Sequence, residues 1–352
     1  MASSSGTSVT VHNVAPVING SITGPTIAVP GQPLAYSAAS FSDVGTQDTH
    51  TITWEVRDGA NAVVATGSGP GLNFTPTTVG TYSVAFRVTD DDGGSATTSL
   101  ALSVGYASLQ VGVCSTGEGT ALVVGSLTVA DRIHVNPQGN NGTLQVTITN
   151  RLTDTVVFQQ TVAPPAGGFA EIVIFGQAAD DYIQISDSIN VAACIHAGAG
   201  NDNVKGGGGN DLILGGDGND DLIGGKGRDL IIGGRGADRI VGNNDDDILV
   251  AGFTAYDDDS HALAHILKEW TSGATYASRV ANIKNGGGLT EGFRFNGDDG
   301  ASQTVFNDND ADTLTGSSSL DAFWANLVAD NGGALDKITD LANGESGSDT
   351  DF

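Results

Sequence analysis

A nine-residue unit repeats six times without insertion between Ala197 and Val250, and no other stretch restricts the fold as tightly. The units begin at Ala197, Gly206, Gly215, Gly224, Gly233 and Gly242. Their sixth positions are Asp202, Asp211, Asp220, Asp229, Asp238 and Asp247, and their eighth are Val204, Ile213, Leu222, Ile231, Ile240 and Leu249. Glycine fills the first, second and fourth positions almost throughout. A period this short predicts a stack of identical turns and strands, because one unit can bury its aliphatic side chain only against its neighbours.

Each position then has a task. The eighth residue points inward on a three-residue strand, and successive strands form two parallel sheets packed back to back. The resulting core is thin. Its aliphatic side chains contribute about 1.5–3 kcal/mol each, too little to order 54 residues at about 1–2 kcal/mol apiece. The Asp column adds repulsion, so the bare roll is not expected to be stable. A hard cation reverses this. Glycines admit backbone angles closed to other residues, letting the carbonyls of Gly207, Gly209, Gly216, Gly218, Gly225, Gly227, Gly234 and Gly236 face a common point. Alternate units share an edge, with Asp202, Asp220 and Asp238 on one and Asp211, Asp229 and Asp247 on the other. Calcium between stacked turns would gather about six to eight oxygens at ~2.3–2.6 Å, with about four ions in the regular block. Magnesium demands a smaller, more rigid shell.

Composition agrees. Of 41 acidic residues only six are Glu, and with 14 Lys or Arg the formal charge is −27. Asp is favoured over Glu where a short carboxylate must sit in a turn or hold a hard cation. The charge excludes a basic nucleic-acid binder. No run reaches the ~18 apolar residues of a membrane span. Two cysteines, Cys114 and Cys194, do not make a disulfide framework, and whether they pair is open. The N-terminus carries no signal-peptide pattern, and a fragment of a longer protein is one reading of that.

Upstream, residues 8–105 read as an all-β sandwich. Short β-runs such as Thr51 to Arg57 and Thr81 to Thr89 alternate with turn signals such as Asp58-Gly59 and Asp92-Gly93-Gly94, and Trp54 is a core anchor. Residues 106–196 continue as β-runs, with Asp-x-Ile echoes at Asp131 and Asp181 that suggest a degenerate β-solenoid. Residues 251–352 form a partly helical, irregular cap. Leu263, Ile266, Leu267 and Trp270 share one helix face, and a second short helix ends at Asn285-Gly286. Asp312 and Asp321 mark one worn repeat, and Gly344 to Phe352 reads as a frayed acidic end. Leu212, Leu214, Leu230, Ile232, Ile248 and Val250 make one outer face of the roll apolar, and the Leu263–Trp270 helix, or another part of residues 251–352, is expected to cover it. His261 and His265 stand one turn apart in zinc-ligand geometry, but Ala262 replaces the Glu of the zinc-protease motif, so both read as surface residues.

The nonapeptide block resembles the repeats-in-toxin (RTX) β-roll, the haemolysin-type calcium-binding repeat. Trp54-Glu55-Val56-Arg57-Asp58-Gly59, Gly80-Thr81-Tyr82-Ser83-Val84 and Val88-Thr89-Asp90-Asp91-Asp92-Gly93-Gly94 resemble the immunoglobulin-like polycystic kidney disease (PKD) module. These resemblances imply a mainly β, secreted, calcium-binding structural or adhesion protein, located at a cell surface or matrix. Its partners would be calcium and a surface polysaccharide or protein. No catalytic constellation is visible, so the chain is read as no enzyme. The alternatives are the non-catalytic end of a secreted RTX enzyme and a calcium-dependent surface-layer or filament subunit.

Overall fold

The computed structural model describes residues 12–44, 48–114, 119–297, 301–327 and 334–340, with the backbone of 346–349. Residues 8–11, 344–345 and 350–352 lie outside it. The chain divides into two compact units, one of residues 1–28 and 32–105, the other of residues 29–31 and 106–352.

In the first unit, a five-stranded sheet runs in the order Ile27–Ala28, Ser95–Val104, Gly80–Asp90, His50–Arg57, Val63–Ser68. Leu34–Ser37 pairs with Gly71–Phe74, and Val17–Ile18 with Phe41–Ser42. The period-two pattern sends Tyr82, Val84, Phe86 and Val88 into one core. Trp54 is buried there, with its indole N–H donating to the Gly69 carbonyl at 2.9 Å. Asp90 closes the next hairpin by accepting the Gly94 N–H at 2.7 Å.

The second unit is built on two nine-stranded sheets. The first contains, in order, Thr120–Gly125, Glu171–Phe175, Ala193–Ala199, Leu212–Asp217, Leu230–Arg235, Ile248–Val250 and Ala322–Ala325, all parallel. The second runs Asp131–Pro137, Tyr182–Ile185, Asn203–Gly207, Asp221–Gly225, Arg239–Asn243 and Thr313–Ser317, again parallel. An antiparallel hairpin, Leu144–Asn150 with Thr155–Val162, extends the second sheet at its start. All six eighth-position residues are fully buried in one core between the sheets.

The worn repeat completes this stack. Leu314 pairs beside Ile240 and Phe323 beside Leu249, in register with the regular units. Beyond it, at the same end, Ser346–Asp349 pairs parallel with Ala322–Ala325, so the terminal segment expected to fray carries a strand.

Between the last regular strand and Thr313 the chain leaves the roll and folds two helices, α1 (Ser260–Trp270) and α2 (Tyr276–Asn285). Asp259 caps α1 by accepting the Ala262 N–H at 3.1 Å, and Gly286 ends α2 at φ 70°. Leu263, Ile266, Trp270 and Ile283 pack on Leu212, Leu230, Ile232 and Ile248, so the apolar outer sheet is covered as expected. A second expectation fails: His265 is buried, with Nδ1 3.2 Å from the Leu289 carbonyl and Nε2 3.6 Å from Glu291. The 286–295 segment folds back over α1 there, and Phe293 packs against the ring. Cys114 and Cys194 form a disulfide spanning 80 residues of sequence.

Candidate metal columns

The six repeat aspartates stand in two columns, one on each edge of the roll, and both columns extend beyond the repeat. On the first edge Asp131, Asp181, Asp202, Asp220 and Asp238 each donate their backbone N–H to Oδ1 of the next member, at 2.6–2.8 Å, the last acceptor being Asp312. Asp312 donates in turn to Asp336 at 3.0 Å. On the second edge Ala193, Asp211, Asp229 and Asp247 donate at 2.7–2.9 Å to Asp211, Asp229, Asp247 and Asp321. The turn makes this ladder: a short side chain at its end reaches exactly one rung, which Glu would overshoot.

Using Oδ1 in the ladder leaves the second oxygen without a protein partner. Oδ2 of Asp181, Asp202, Asp211, Asp220, Asp229, Asp238, Asp247 and Asp312 is buried and accepts no hydrogen bond. Those of Asp181, Asp211, Asp220, Asp229, Asp238 and Asp247 face the first glycine of their own turn. A methyl group placed on Gly206 would sit 2.5 Å from Asp211 Oδ2 and 2.7 Å from the Gly224 carbonyl. The same pair of oxygens, Asp220 Oδ2 and the Gly233 carbonyl, crowds Gly215. The cradles at Gly176, Gly206, Gly215 and Gly233 each join one carboxylate oxygen to a carbonyl from the neighbouring turn on the same edge.

The glycines named from the sequence line the same turns. Gly207, Gly216, Gly218, Gly225, Gly227, Gly234 and Gly236 hold φ between 93° and 133°, whereas Gly209 has no left-handed φ. A Cβ on Gly216, Gly225, Gly227, Gly234 or Gly236 would strike the carbonyl of the equivalent glycine one turn below. The Gly207 and Gly225 carbonyls also accept the N–H groups of Lys226 and Asn244 at 3.1 Å. Two further features escaped the sequence reading. First-position carbonyls, such as those of Gly224 and Gly233, crowd the same glycines as the orphan oxygens of Asp211 and Asp220. A second ladder runs through fifth-position residues, where Asn201, Asn219 and Asn210 side chains accept the N–H groups of Asn219, Ala237 and Arg228 at 2.8–2.9 Å. Asn recurs at the fifth position of the first three units, which was the available signal.

Burial, reinforced by neighbouring aspartates, pushes these carboxyls far above their ordinary range. Asp202 rises to about 6, Asp220 to about 7, Asp238 to about 8 and Asp181 to about 9. Asp211, Asp229, Asp247 and Asp312 are raised as well. An ionised carboxylate buried without a partner is costly. The donor set consists of carboxylate and carbonyl oxygens with no thiolate or imidazole, which suits a hard divalent cation able to take many oxygens. Calcium fits it.

Known proteins place both units. Residues 13–104 match the PKD domain family, and residues 196–231 and 223–253 match the family of the RTX calcium-binding nonapeptide repeat. The chain thus has a PKD domain at its N-terminus followed by a calcium-binding RTX β-roll with a buried Asp ladder. No curated protein matches the chain significantly. A solved structure described as a carbohydrate-binding module of the β-sandwich superfamily aligns at 18% identity over 40% of this chain. The alignment spans 56% of that chain with a TM-score of 0.24, too low to support an argument. No helix among the described residues is long and apolar enough to cross a membrane.

Proposed function

We propose that the chain is a secreted structural or adhesion module at a cell surface or matrix, in which calcium locks the β-roll and the PKD domain engages a polysaccharide or protein. The observation that carries this reading is the row of buried, unpartnered Oδ2 atoms, with those of Asp181, Asp211, Asp220 and Asp238 each beside a carbonyl of the adjacent turn. Extracellular calcium modules bind at about 10⁻⁴–10⁻³ M. At millimolar calcium a 10⁻⁴ M site adds about 1.4 kcal/mol, and this vanishes at cytosolic calcium levels. The Cys114–Cys194 disulfide supports an oxidising compartment.

An enzymatic reading would stand on His196 and Ser260. His196 Nε2 lies 3.2 Å from Ser260 Oγ, beside a cavity of about 190 Å³ that Asp257 and Asp258 also line. Burial holds the His196 imidazole down at about 4, which makes it a weak base, and the same nitrogen lies 3.5 Å from Cys194 Sγ. We therefore propose a non-catalytic role. Calcium titration calorimetry on the full chain, with melting in calcium and in chelator, tests the reading. Binding of several ions with a rise in melting temperature supports it; no heat and no shift would refute it.

A further inference from the structure

The insertion that carries the helix pair leaves the roll at Ala251 and returns through Asn307-Asp308-Asn309-Asp310-Ala311-Asp312. Four of the six regular units bring one carboxylate to the turn, the third adds Asp217 and the sixth brings Asp245, Asp246 and Asp247. This return brings three, at alternate positions. Asp312 takes the ladder place, accepting the Asp238 N–H at 2.6 Å. Asp308 reaches the same turn, because its Oδ2 accepts the Gly236 N–H at 2.6 Å. Asn309 holds the left-handed φ of 74° that bends the segment between them.

The acids alone would not define a site; the buried Oδ2 of Asp238, beside the Ala251 carbonyl, does. Asp238 and Asp312 are 3% and 1% exposed, and the Oδ2 of each accepts no hydrogen bond. Asp238 Oδ2 faces Gly233 together with the Ala251 carbonyl: a Cβ on that glycine would strike both oxygens. Among the described residues no Lys or Arg forms an ion pair with Asp308, Asp310 or Asp312.

We propose that Asp238, Asp308, Asp310, Asp312 and the Ala251 carbonyl form a composite calcium site that fastens both feet of the insertion to the roll. It deepens the calcium reading above and rests on it. It is nevertheless distinct, because its acids at 308, 310 and 312 lie outside the matched repeat. An oxygen-only set with up to four carboxylates suits calcium better than a softer metal. A bound ion joins the outgoing strand end to the returning segment and so holds the helix pair against the sheet between them.

The test compares the full-length chain with an Asp308→Asn/Asp310→Asn double variant, titrated with calcium chloride alone. Asp308 is half-buried and Asp310 exposed, and Asn keeps an acceptor for the Gly236 N–H, so the roll folds in the variant. Asp154→Asn, on the remote hairpin, controls for lost charge. The double variant is expected to bind about one ion fewer per chain, or one ion roughly tenfold more weakly, with the other sites unchanged. Protease should also cut within 251–308 faster at equal calcium. Identical stoichiometry, affinity and cleavage in variant and parent overturn the composite site alone. Absence of calcium uptake by the parent chain overturns it together with the calcium reading.

Discussion

The Asp238 N–H donates to Asp312 Oδ1 at 2.6 Å across 74 residues of sequence, whereas Asp220 makes the same bond to Asp238 at 2.8 Å across 18. The bond is indifferent to how the chain arrives. A rung needs a tight turn end and a short carboxylate, and an insertion 56 residues longer than the regular spacing supplies both. The excursion adds loop-closure entropy, which grows only slowly with length. It also brings back the apolar helix face that the sheet requires. Rung and cover therefore come from one insertion.

The column makes stability depend on pH in an unusual direction. Asp202, Asp220 and Asp238 have folded-state values raised to about 6, 7 and 8 from 3.8. In chelator the folded chain thus holds more protons than the unfolded one, so stability falls as pH rises. The contribution of these groups is complete below about pH 4 and is lost as pH climbs through 6 to 8. Denaturant melts in chelator at pH 5 and pH 8 should find the roll more stable at pH 5, until other carboxylates titrate. Saturating calcium should abolish or reverse this trend. A chelated roll that is more stable at pH 8 would contradict the buried-acid account.

Asp220→Asn separates the two jobs of the carboxylate. Asn can still accept the Asp202 N–H but carries no charge. Without calcium the variant should be more stable than the parent, since a buried, like-charged neighbour is gone. In millimolar calcium the order should invert, by about 1.4 kcal/mol or more if one site is lost. Paired chemical melts with and without calcium check the crossing. Parallel curves would mean that Asp220 serves the backbone alone.

The regular roll was legible because its frame is local: six units declare turn, ladder and core position within nine residues each. Asp312 and Asp321 were legible only as one worn repeat, because nothing in a nine-residue window reports that a 56-residue excursion returns in register. The Gly signal fades at such rungs while the geometry persists. Gln177, Ala179, Ser317 and Ser319 hold left-handed φ of 73–84° where the regular turn uses glycine. The pairing of Cys114 with Cys194, and the burial of His265 under the 286–295 segment, depend on contacts between distant segments that no periodicity encodes. Helix faces, by contrast, carry their own period, which is why the cover over Leu230 and Ile232 was expected.

At Gly227, the fourth position of its unit, two constraints act at once. Gly227 has φ 93°, and a Cβ there would strike the Gly209 carbonyl and lie 2.9 Å from Asn210 Oδ1. Gly227→Ala should cost at least about 1–3 kcal/mol in the presence of calcium and weaken calcium uptake on that edge. Gly273, between the helices, has open space and no left-handed angle, so Gly273→Ala should stay within about 0.5–1 kcal/mol of the parent. Urea melts of both variants in calcium make the comparison. Equal effects would show that the turn tolerates side chains and that the glycines do not shape the cradle.

Trp270 ties the cover to the roll through three kinds of contact. Its ring is fully buried against the apolar sheet, its indole N–H donates to the Asp246 carbonyl at 2.6 Å, and the Arg279 guanidinium lies 4.4 Å above the ring. Arg279 also pairs with Asp246, which belongs to the last regular turn. Truncating such a residue to Ala costs about 3–5 kcal/mol. Trp270→Ala should therefore loosen the helix pair and uncover Leu230 and Ile232, which are 0% and 1% exposed in the folded chain. An uncovered stripe of this kind drives association. Light scattering should report concentration-dependent self-association of the variant in calcium, alongside a lower melting temperature. A variant that melts lower but stays monomeric would mean that the sheet remains covered and that the helix pair is held mainly by its calcium-fastened feet.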